Sequence, residues 1–477
     1  MPDSTLSPLC VDLDGTLIKT DLLVESFFLL LGKHPLLVLF VPFWLLRGKA
    51  RLKQELARRV ELDVATLPYH PAFLAWLREQ HAQGRHLVLA TSAAESFARQ
   101  VADHLGIFSQ VVATTDDANL SGSRKAERLC QRFGERGFDY AGNGMVDVTV
   151  WARARQAILV NPARGVREQA ARVAAITAEF DDREGARPTP WFKALRLHQW
   201  LKNVLVFVPL LAAHRINEVA LLFQAILAYV AFGLCASSVY LLNDLLDLPA
   251  DRRHPRKQLR PFAAGTLPIL AGALAAPTLL ILAFLLAAIA LPPLFSGVLL
   301  GYYALTLTYS LYFKQIVMLD VVMLAALYTL RIIAGAAATA IIPTFWLLAF
   351  SMFVFLSLAL VKRHAELLAL QEAGQSSALG RGYQVDDLQV LQTLGGASGY
   401  LSVLVLALYI NSGTSQALYR HPEVIWLLCP LLLYWVSRVW LKTHRGDMHD
   451  DPVIFAVQDR VSQTLIAIGA VIVWLAL

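Results

Sequence analysis

The pattern of apolar and polar positions changes character partway along the 477-residue chain. Up to about Arg187, short apolar stretches alternate with charged ones, as in the strands and amphipathic helices of an α/β domain. From about Trp191 onward, long apolar runs recur with short charged gaps, which is typical of membrane-spanning helices. Charge, Gly and Pro cluster at the change. We therefore predict a soluble domain at 1–183, a linker at 184–190 and a membrane domain at 191–477.

The apolar runs of the second part are long enough to cross the hydrocarbon core of a membrane as helices. We predict about nine transmembrane helices, of which the first is the shortest. Their predicted starts lie near residues 200, 219, 270, 295, 317, 343, 396, 423 and 459. The second part is therefore expected to be an all-α polytopic membrane domain.

The distribution of positive charge predicts the orientation of the chain. Loops rich in Lys and Arg alternate with charge-poor ones, and the rich loops usually face the cytoplasm. No basic start followed by an apolar run opens the sequence, so the first domain is expected to stay on the side of synthesis. We predict an integral protein of a bacterial inner or plasma membrane, with the first domain and the active sites inside and Leu477 outside.

Composition excludes some classes of protein and leaves others open. With 56% hydrophobic and 16% charged residues, the chain is too apolar for an ordinary soluble protein. The net charge of +6 comes from basic residues at the ends of apolar runs, which indicates membrane topology and no nucleic-acid partner. The four cysteines lie far apart and form no zinc or disulfide pattern. An oligomer is compatible with the sequence.

The first candidate site follows an apolar strand, Leu9 to Val11, with two carboxylates and a glycine, Asp12, Asp14 and Gly15. This arrangement suits metal-assisted phosphoryl transfer. Asp12 would attack phosphorus, Asp14 would protonate the leaving oxygen, and Mg²⁺ would offset the negative charge. The alternative is an ordinary polar turn at a strand end.

Three further pieces follow in the order that this chemistry needs. A strand at 86–90 delivers the hydroxyls of Thr91 and Ser92, which can hold a phosphate oxygen. Lys125 opens a helix and can neutralise an aspartyl phosphate, although a solvated surface lysine is the simpler interpretation. Asp147 closes the run that begins at Gly142, after a strand at 138–141, and can complete a metal site.

Together these pieces resemble the haloacid dehalogenase (HAD) superfamily of phosphatases over roughly residues 7–159. The resemblance implies a Rossmann-like α/β fold. By resemblance, Asp12 is the nucleophile, Asp14 the acid/base, Thr91 the phosphate-binding hydroxyl, Lys125 the stabilising cation and Asp147 a metal ligand. Asn143 stands where the family usually has an acidic residue, so this candidate ligand would bind the metal more weakly or alter the activity.

A helical cap is predicted over about residues 21–69. Within it, 35–46 is a run of twelve mostly large apolar residues, followed by Arg47, Lys49, Arg51 and Lys53. This pattern suits an interfacial membrane anchor and is too short to span. A helix packed on the domain core explains it equally well.

The second candidate site is the polar segment 243–261, at the predicted cytoplasmic end of the second membrane helix. Its Asn and Asp residues recur every four positions, so a continuous helix would place them on one face as oxygen ligands for Mg²⁺. These residues are Asn243, Asp247 and Asp251, with Asp244 beside them. A cluster of cations follows that can hold phosphates: Arg252, Arg253, Arg256, Lys257 and Arg260. The alternative is a solvated, positive-inside loop.

This segment closely resembles the first aspartate-rich motif of the UbiA prenyltransferase superfamily, and the resemblance covers most of 191–477. It includes the segments 199–204 and 260–265, whose amino-acid sequences are most similar to those of the phosphoribosyltransferase branch. It implies a nine-helix fold, Mg²⁺ and a diphosphate substrate, with Asp244, Asp247 and Asp251 in the catalytic site. That branch further implies a cell-wall pentose donor as product.

By resemblance, the second aspartate site of the superfamily falls at Asp320, which would act in the catalytic site as a further Mg²⁺ ligand. Leu324 stands where a second carboxylate is usual. Arg331 instead lies on nearly the same helical face as Asp320, where an isolated cation in an apolar segment needs an anion. That anion is a substrate phosphate or an acidic residue of another helix. Further candidate phosphate-binding cations on the same side are Lys202, Lys314, Lys362 and Arg363.

The sequence therefore predicts transfer of phosphoribose from 5-phosphoribosyl diphosphate (PRPP) to a polyprenyl phosphate, with the HAD-like domain removing the 5-phosphate of the product. One alternative is a prenyltransferase that uses a prenyl diphosphate and an aromatic or lipid acceptor. Another is a transporter or lipid-binding protein with a regulatory HAD-like domain.

Overall fold

The computed structural model describes residues 7–115, 119–182, 189–374, 382–448 and 451–477. Most of the predicted linker, 184–190, lies outside the described residues. The chain divides into two compact units. The first consists of Met1–Leu195 with Tyr240–Ala276, and the second of Arg196–Val239 with Pro277–Leu477.

The first unit is built on a six-stranded, fully parallel sheet with the strand order β3-β2-β1-β4-β5-β6. The strands are β1 Leu9–Val11, β2 Leu87–Ala94, β3 Gln110–Thr114, β4 Asp139–Gly142, β5 Gln156–Val160 and β6 Ala175–Phe180. The β1 strand is fully buried, which explains its continuous apolar sequence. Helices flank the sheet at Pro71–Ala82, Glu95–Leu105, Ser123–Phe133, Val148–Trp151 and Val166–Val173. The predicted α/β Rossmann-like fold is confirmed.

The cap between β1 and β2 is helical, as predicted. It contains α-helices Leu22–Lys33, Val41–Leu46 and Lys49–Ala57 and 3-10 helices Pro35–Phe40 and Val64–Thr66. Its first helix begins after Asp21, whose side chain accepts hydrogen bonds from the backbone N–H groups of Leu23 and Val24. The first unit also includes helix Leu248–Arg253 and the 3-10 turn Lys257–Leu259.

Seven described helices are long and apolar enough to cross a membrane, or eight if one bent pair counts as a single span. They are Val219–Leu246, Ile269–Ala290, Pro293–Leu311, Leu319–Thr339, Phe345–Glu372, Val385–Ile410 and Pro422–His444, with the bent pair Pro452–Gln458 and Arg460–Ala476. Shorter helical pieces lie at Thr189–Leu195, Phe313–Gln315 and Gly413–Leu418.

The prediction of about nine spans is therefore slightly too high. The missing span is the first one, where Leu197–Phe207 is a 3-10 helix followed by the short α-helix Val208–Ala212. This apolar segment is shorter than the roughly 20 residues that an α-helical span needs. The seventh predicted start, residue 396, is also late, because the α-helix already begins at Leu388, directly after the acidic 3-10 turn Val385–Asp387.

Candidate active sites

The phosphatase-like site lies at the carboxyl edge of the parallel sheet, where β1 and its neighbours β2 and β4 end. Asp12 follows β1, Thr91 lies in β2 where its register shifts, and Asp147 follows β4. Gly15 has a φ of +74°, and a Cβ there would lie 2.2 Å from the side-chain nitrogen of Asn143. Only glycine therefore lets the loop after β1 pass so close to the loop after β4.

Lys125 is buried and joins the two carboxylates of this edge. Its Nζ lies 2.8 Å from Asp12 Oδ1 and 2.9 Å from the hydroxyl of Tyr140, which donates to Asp147 Oδ1 at 2.8 Å. Asp147 Oδ2 also accepts backbone N–H bonds from Asn143 and Gly144. A cation held this way stabilises the negative charge that develops when a phosphate meets Asp12.

Asp14 faces a small pocket beneath the cap. It accepts a hydrogen bond from the backbone N–H of Leu22 at 3.0 Å. Lys53, from cap helix Lys49–Ala57, also lines the pocket and donates to the backbone oxygen of Ser92 at 2.5 Å. Lys53 was not predicted as a site residue, because its position among the basic residues after the apolar run indicates only a charged flank.

Thr91 is fully buried, and its hydroxyl oxygen accepts from the backbone N–H of Ala93 at 3.0 Å. This bond fixes the hydroxyl while leaving its hydrogen available to a phosphate oxygen. Ser92 also lines the pocket below the cap. The structure thus brings the predicted residues Asp12, Asp14, Thr91, Lys125 and Asp147 to one edge of the sheet.

The carboxylate oxygens at this edge of the sheet are ligands that suit a hard divalent cation. Burial raises the pKa of Asp12 to about 6 although Lys125 lowers it, and burial with the charge of Asp21 raises the pKa of Asp14 to about 8. Mg²⁺ commonly uses only one or two carboxylates together with water and substrate phosphate. Within the described residues, no three His, Cys, Asp or Glu side chains form a ready-made metal cluster. Asp12, Asp14 and Asp147 would hold Mg²⁺ here only together with substrate and water.

The aspartate-rich segment begins in the last turn of helix Val219–Leu246. The helix does not continue through the segment, because it ends at Leu246 and a new helix runs from Leu248 to Arg253. Pro249 explains the break, since its ring has no N–H and clashes with the preceding turn. Backbone bonds from Asp247 to Asn243 and from Asp251 to Asp247 still keep the helical repeat.

Arg260 lies where the aspartates converge. Its Nη1 is 2.6 Å from Asp251 Oδ2 and 3.2 Å from Asp244 Oδ1. The side-chain oxygen of Asn243 is buried and, among the described residues, has no hydrogen-bond partner. Burial raises the pKa of Asp251, although Arg260 lowers it. The side-chain oxygen of Asn243 therefore remains available as a ligand, and Asp244 and Asp251 already bind the positive charge of Arg260. These oxygen donors fit a site for Mg²⁺.

The cations of this segment differ in whether they pair with a carboxylate of the cap or are exposed. Arg252, predicted to bind phosphate, is buried and forms two bonds, of 2.5 and 3.0 Å, with the carboxylate of Glu25 in the cap. Arg253 pairs with Asp63 of the cap at 2.7 Å. Lys257 is exposed, so its ammonium is accessible to a substrate phosphate.

In the second unit, Lys202 and Lys362 share one carboxylate. Asp451 Oδ2 lies 2.5 Å from the Nζ of Lys202 and 3.5 Å from that of Lys362. The hydroxyl of Tyr328 donates to Asp451 Oδ1 at 3.1 Å. Two ammonium groups face one carboxylate, so the formal charges of the group sum to one positive charge.

Asp320 and Arg363 form a second buried group. The Nε of Arg363 lies 2.5 Å from Asp320 Oδ2, and the hydroxyl of Tyr383 donates to Asp320 Oδ1 at 2.5 Å. Arg363 also bonds Glu366 and the hydroxyl of Tyr309. Both oxygens of Asp320 are thus engaged by protein groups. Lys314 lies half-buried in the turn Phe313–Gln315.

Arg331 is buried without a carboxylate partner among the described residues. Its Nε donates to Asn203 Oδ1 at 3.0 Å and its Nη2 to the hydroxyl of Tyr302 at 3.3 Å. The rings of Phe232, Tyr302 and Tyr328 lie 5.3–5.5 Å from its guanidinium carbon. Aromatic faces stabilise a cation without neutralising it, so Arg331 keeps its positive charge for an anion.

An apolar cavity of about 960 Å³ also lies in the second unit. Its lining includes Leu205, Leu358 and Val453, which lie within four residues of Lys202, Lys362 and Asp451 along the chain. A cavity of this size and polarity suits an isoprenoid or acyl chain.

Comparison with known proteins decides the family. The model of the UbiA prenyltransferase family matches residues 204–458, which is more than half of the chain, and that of haloacid dehalogenase-like hydrolases matches residues 9–151. The chain belongs to the UbiA prenyltransferase family. Its N-terminal part is a haloacid dehalogenase-like domain, so both predicted resemblances are confirmed.

Three relatives of this UbiA family member align with different fractions of its sequence. The uncharacterized protein y4nM of Sinorhizobium fredii is 36% identical over 95% of this chain and 88% of its own length. The nodulation protein NoeC of Azorhizobium caulinodans is 38% identical over 56% of this chain and 86% of its own length. Decaprenyl-phosphate phosphoribosyltransferase of Mycolicibacterium smegmatis is 30% identical over 57% of this chain and 87% of its own length.

Several polar residues around the UbiA-family sites were absent from the sequence prediction. Asp451, Asn203 and the ring of Tyr328 contact predicted cations in the second unit, and Glu25 contacts Arg252 in the first. Asp451 had one available signal, an acidic residue at the start of an apolar helix. Asn203 lies in the segment 199–204 that resembles the phosphoribosyltransferase branch, which was its available signal. Tyr328 and Glu25 lie in ordinary helical patterns, which carry no sign of a distant partner.

Proposed function

We propose that this chain transfers 5-phosphoribose from PRPP to a polyprenyl phosphate and then removes the 5-phosphate from the lipid product. The proposal assigns the dephosphorylation to residues 1–183 and the transfer to residues 191–477, joined by the linker 184–190. It is supported by the named phosphoribosyltransferase relative and by the second family match.

The observation that carries the transfer step is the cationic group of Lys202, Lys362 and Asp451 next to residues that line the large apolar cavity. Its excess positive charge suits a phosphate, and the cavity suits the hydrocarbon chain attached to it. An acceptor that is itself a lipid phosphate accounts for both features. An aromatic acceptor would need the cavity but not the cations.

The donor's diphosphate is assigned to the aspartate-rich segment. Asn243, Asp244, Asp247 and Asp251 would hold Mg²⁺, which neutralises the diphosphate when bound. Lys257 and Arg260 would bind the phosphate oxygens that remain. Asp320, which holds Arg363 and Tyr383, would orient a phosphate-binding cation in preference to binding metal itself.

The transfer breaks the bond between the ribose C1 and the diphosphate oxygen and forms a bond from C1 to an oxygen of the lipid phosphate. The sugar passes through an oxocarbenium-like state, and the diphosphate carries away the bonding electrons. Arg331, whose charge is not neutralised by a carboxylate among the described residues, is available to an anionic group of either substrate.

In the second step, an Asp12 oxygen attacks the 5-phosphate and Asp14 protonates the departing ribose oxygen. Lys125 stabilises the resulting aspartyl phosphate, and the Thr91 hydroxyl donates to a phosphate oxygen. Water then hydrolyses the acyl phosphate while Asp14 accepts its proton. The product is polyprenyl-phosphoryl ribose with free inorganic phosphate.

The deciding experiment incubates purified protein with PRPP, Mg²⁺ and a polyprenyl phosphate and identifies the lipids by mass spectrometry. Intact protein is expected to form polyprenyl-phosphoryl ribose, Asp12→Asn to stop at the 5-phosphorylated lipid, and Asp244→Asn to form neither. A parallel reaction receives a prenyl diphosphate and an aromatic acceptor. Prenylation there, without any pentose lipid, would replace this proposal with the alternative prenyltransferase chemistry.

A further inference from the structure

The cap carries an apolar segment, Pro35–Leu46, that has two different faces. One face packs on the core of the first unit through Leu37, Val38, Val41 and Trp44. Packing on the domain core therefore accounts for this face of the segment, and for this face alone.

The other face projects large apolar side chains into the surroundings. The exposed fractions are 77% for Leu36, 77% for Leu39, 53% for Phe40, 55% for Phe43 and 85% for Leu46. Intervals of three and four residues keep these side chains on one side. A contiguous exposed apolar face of this kind marks an interaction surface.

Positive charge borders this face at its carboxyl end. Arg47 and Lys49 are exposed, and the guanidinium of Arg47 lies 4.8 Å from the ring centre of Phe43. Lys33, also exposed, lies before the segment. Apolar side chains bordered by cations complement a bilayer surface, where acyl chains lie beneath anionic headgroups.

We propose that Pro35–Leu46 docks the cap on the surface of an anionic lipid bilayer. Twelve residues are too few to cross the hydrocarbon core, so the segment would lie in the plane of the interface with its outer face buried. The chain also has helices long and apolar enough to span a membrane, so a bilayer surface would be present wherever those helices are inserted.

Docking has a consequence for the phosphatase-like pocket, and this consequence rests on the proposed function. Helix Lys49–Ala57 follows the docked segment directly and contributes Lys53 and Leu56 to the pocket lining. The same short stretch of chain would therefore contact the bilayer and enclose the phosphatase pocket. A phosphate on a lipid would reach Asp12 without leaving the membrane surface.

The docking is tested with full-length protein in nanodiscs of phosphatidylethanolamine and phosphatidylglycerol. Leu39→Cys carries an environment-sensitive fluorophore, and acyl chains brominated near the headgroup act as quenchers. Cys130, the most exposed of the described cysteines, is replaced by serine. Exposed Arg172, in a helix flanking the sheet, provides the control site as Arg172→Cys.

We expect strong quenching at position 39, at least twice that at position 172, and a decrease when phosphatidylglycerol is omitted. Equal quenching at both positions would overturn the docking. A signal at position 39 that depends on having two chains in a disc, and not on brominated lipid, would assign the face to a second copy of the chain and would also overturn it.

An activity comparison separates the docking from the proposed function. The variant Leu36→Gln/Leu39→Gln/Leu46→Gln alters only exposed side chains. We expect unchanged hydrolysis of soluble p-nitrophenyl phosphate and an approximately tenfold slower removal of phosphate from the lipid product in nanodiscs. If intact protein never dephosphorylates that lipid, the proposed second step fails, while the quenching result still decides the docking.

Discussion

At the scale of single residues, Lys125 provides a sharp test of the phosphatase-like site. Lys125→Met leaves the buried carboxylate of Asp12 without its cation, so p-nitrophenyl phosphate hydrolysis should fall by a factor on the order of 10² or more. Arg124→Met removes an exposed cation from the adjacent position and should change the rate less than about twofold. Equal effects of the two changes would contradict the role of Lys125.

The raised pKa values of Asp12 and Asp14 predict how Mg²⁺ binding depends on pH. Near pH 7, Asp14, with a pKa of about 8, is mostly protonated, whereas Asp12, with a pKa of about 6, is mostly ionised. Mg²⁺ competes with the proton of Asp14, so its apparent affinity should rise from pH 6 to pH 8.

Calorimetric titration with Mg²⁺ in buffers of different ionisation enthalpy measures that proton release. We expect release of up to about one proton at pH 7 and a clearly smaller release for Asp14→Asn. Binding that is independent of pH and of buffer would show that Asp14 does not exchange its proton for the metal.

The two lysines of the second unit predict a separation of kinetic effects. Lys202→Met or Lys362→Met should raise the KM for polyprenyl phosphate about tenfold or more, because each removes one charge-assisted contact to the acceptor. The KM for PRPP should stay within about twofold. A larger effect on PRPP would assign these lysines to the donor.

At the scale of elements, the cap and the segment that carries the aspartates are joined by the Glu25–Arg252 pair. Removing one partner leaves the other charge buried, which costs about 3–5 kcal/mol. Glu25→Gln and Arg252→Met should each lower the unfolding temperature clearly, and Glu25→Gln/Arg252→Met should lower it by less than the two single changes combined.

The neighbouring pair Arg253–Asp63 provides a matched comparison. The side chain of Arg253 is 66% exposed, so Asp63→Asn should cost at most about 1 kcal/mol. Thermal unfolding in detergent, followed by tryptophan fluorescence, measures all of these variants. A shift for Asp63→Asn as large as that for Glu25→Gln would contradict the role of burial.

Sequence patterns predicted the elements well because periodicity is a local property. The strand Leu9–Val11, the helical cap and most helix starts agree with the structure. The repeat of Asn and Asp does not by itself fix where the helix ends, whereas Pro249 favours the break observed after Leu246. The pairs Glu25–Arg252 and Lys202–Asp451 join residues 227 and 249 positions apart, and no local pattern records such pairs.

At the scale of the whole molecule, the proposed reactions are linked by a lipid intermediate that can diffuse within a bilayer. Asp12→Asn and Asp244→Asn chains reconstituted together in one population of liposomes should therefore restore polyprenyl-phosphoryl ribose. The same variants in separate liposomes should not, because a polyprenyl lipid exchanges slowly through water. No restoration in shared liposomes would mean that the intermediate passes within a single chain.

The buried guanidinium of Arg252 has a consequence for how this gene can be rearranged. A fragment ended at the linker would retain Glu25 but lose its counter-ion, which is encoded more than 200 codons downstream. The haloacid dehalogenase-like part is therefore not a module that recombination can detach at the predicted linker 184–190. Exchange of the N-terminal half between relatives should succeed only where the recipient supplies a matching arginine, so the two halves are expected to be inherited together.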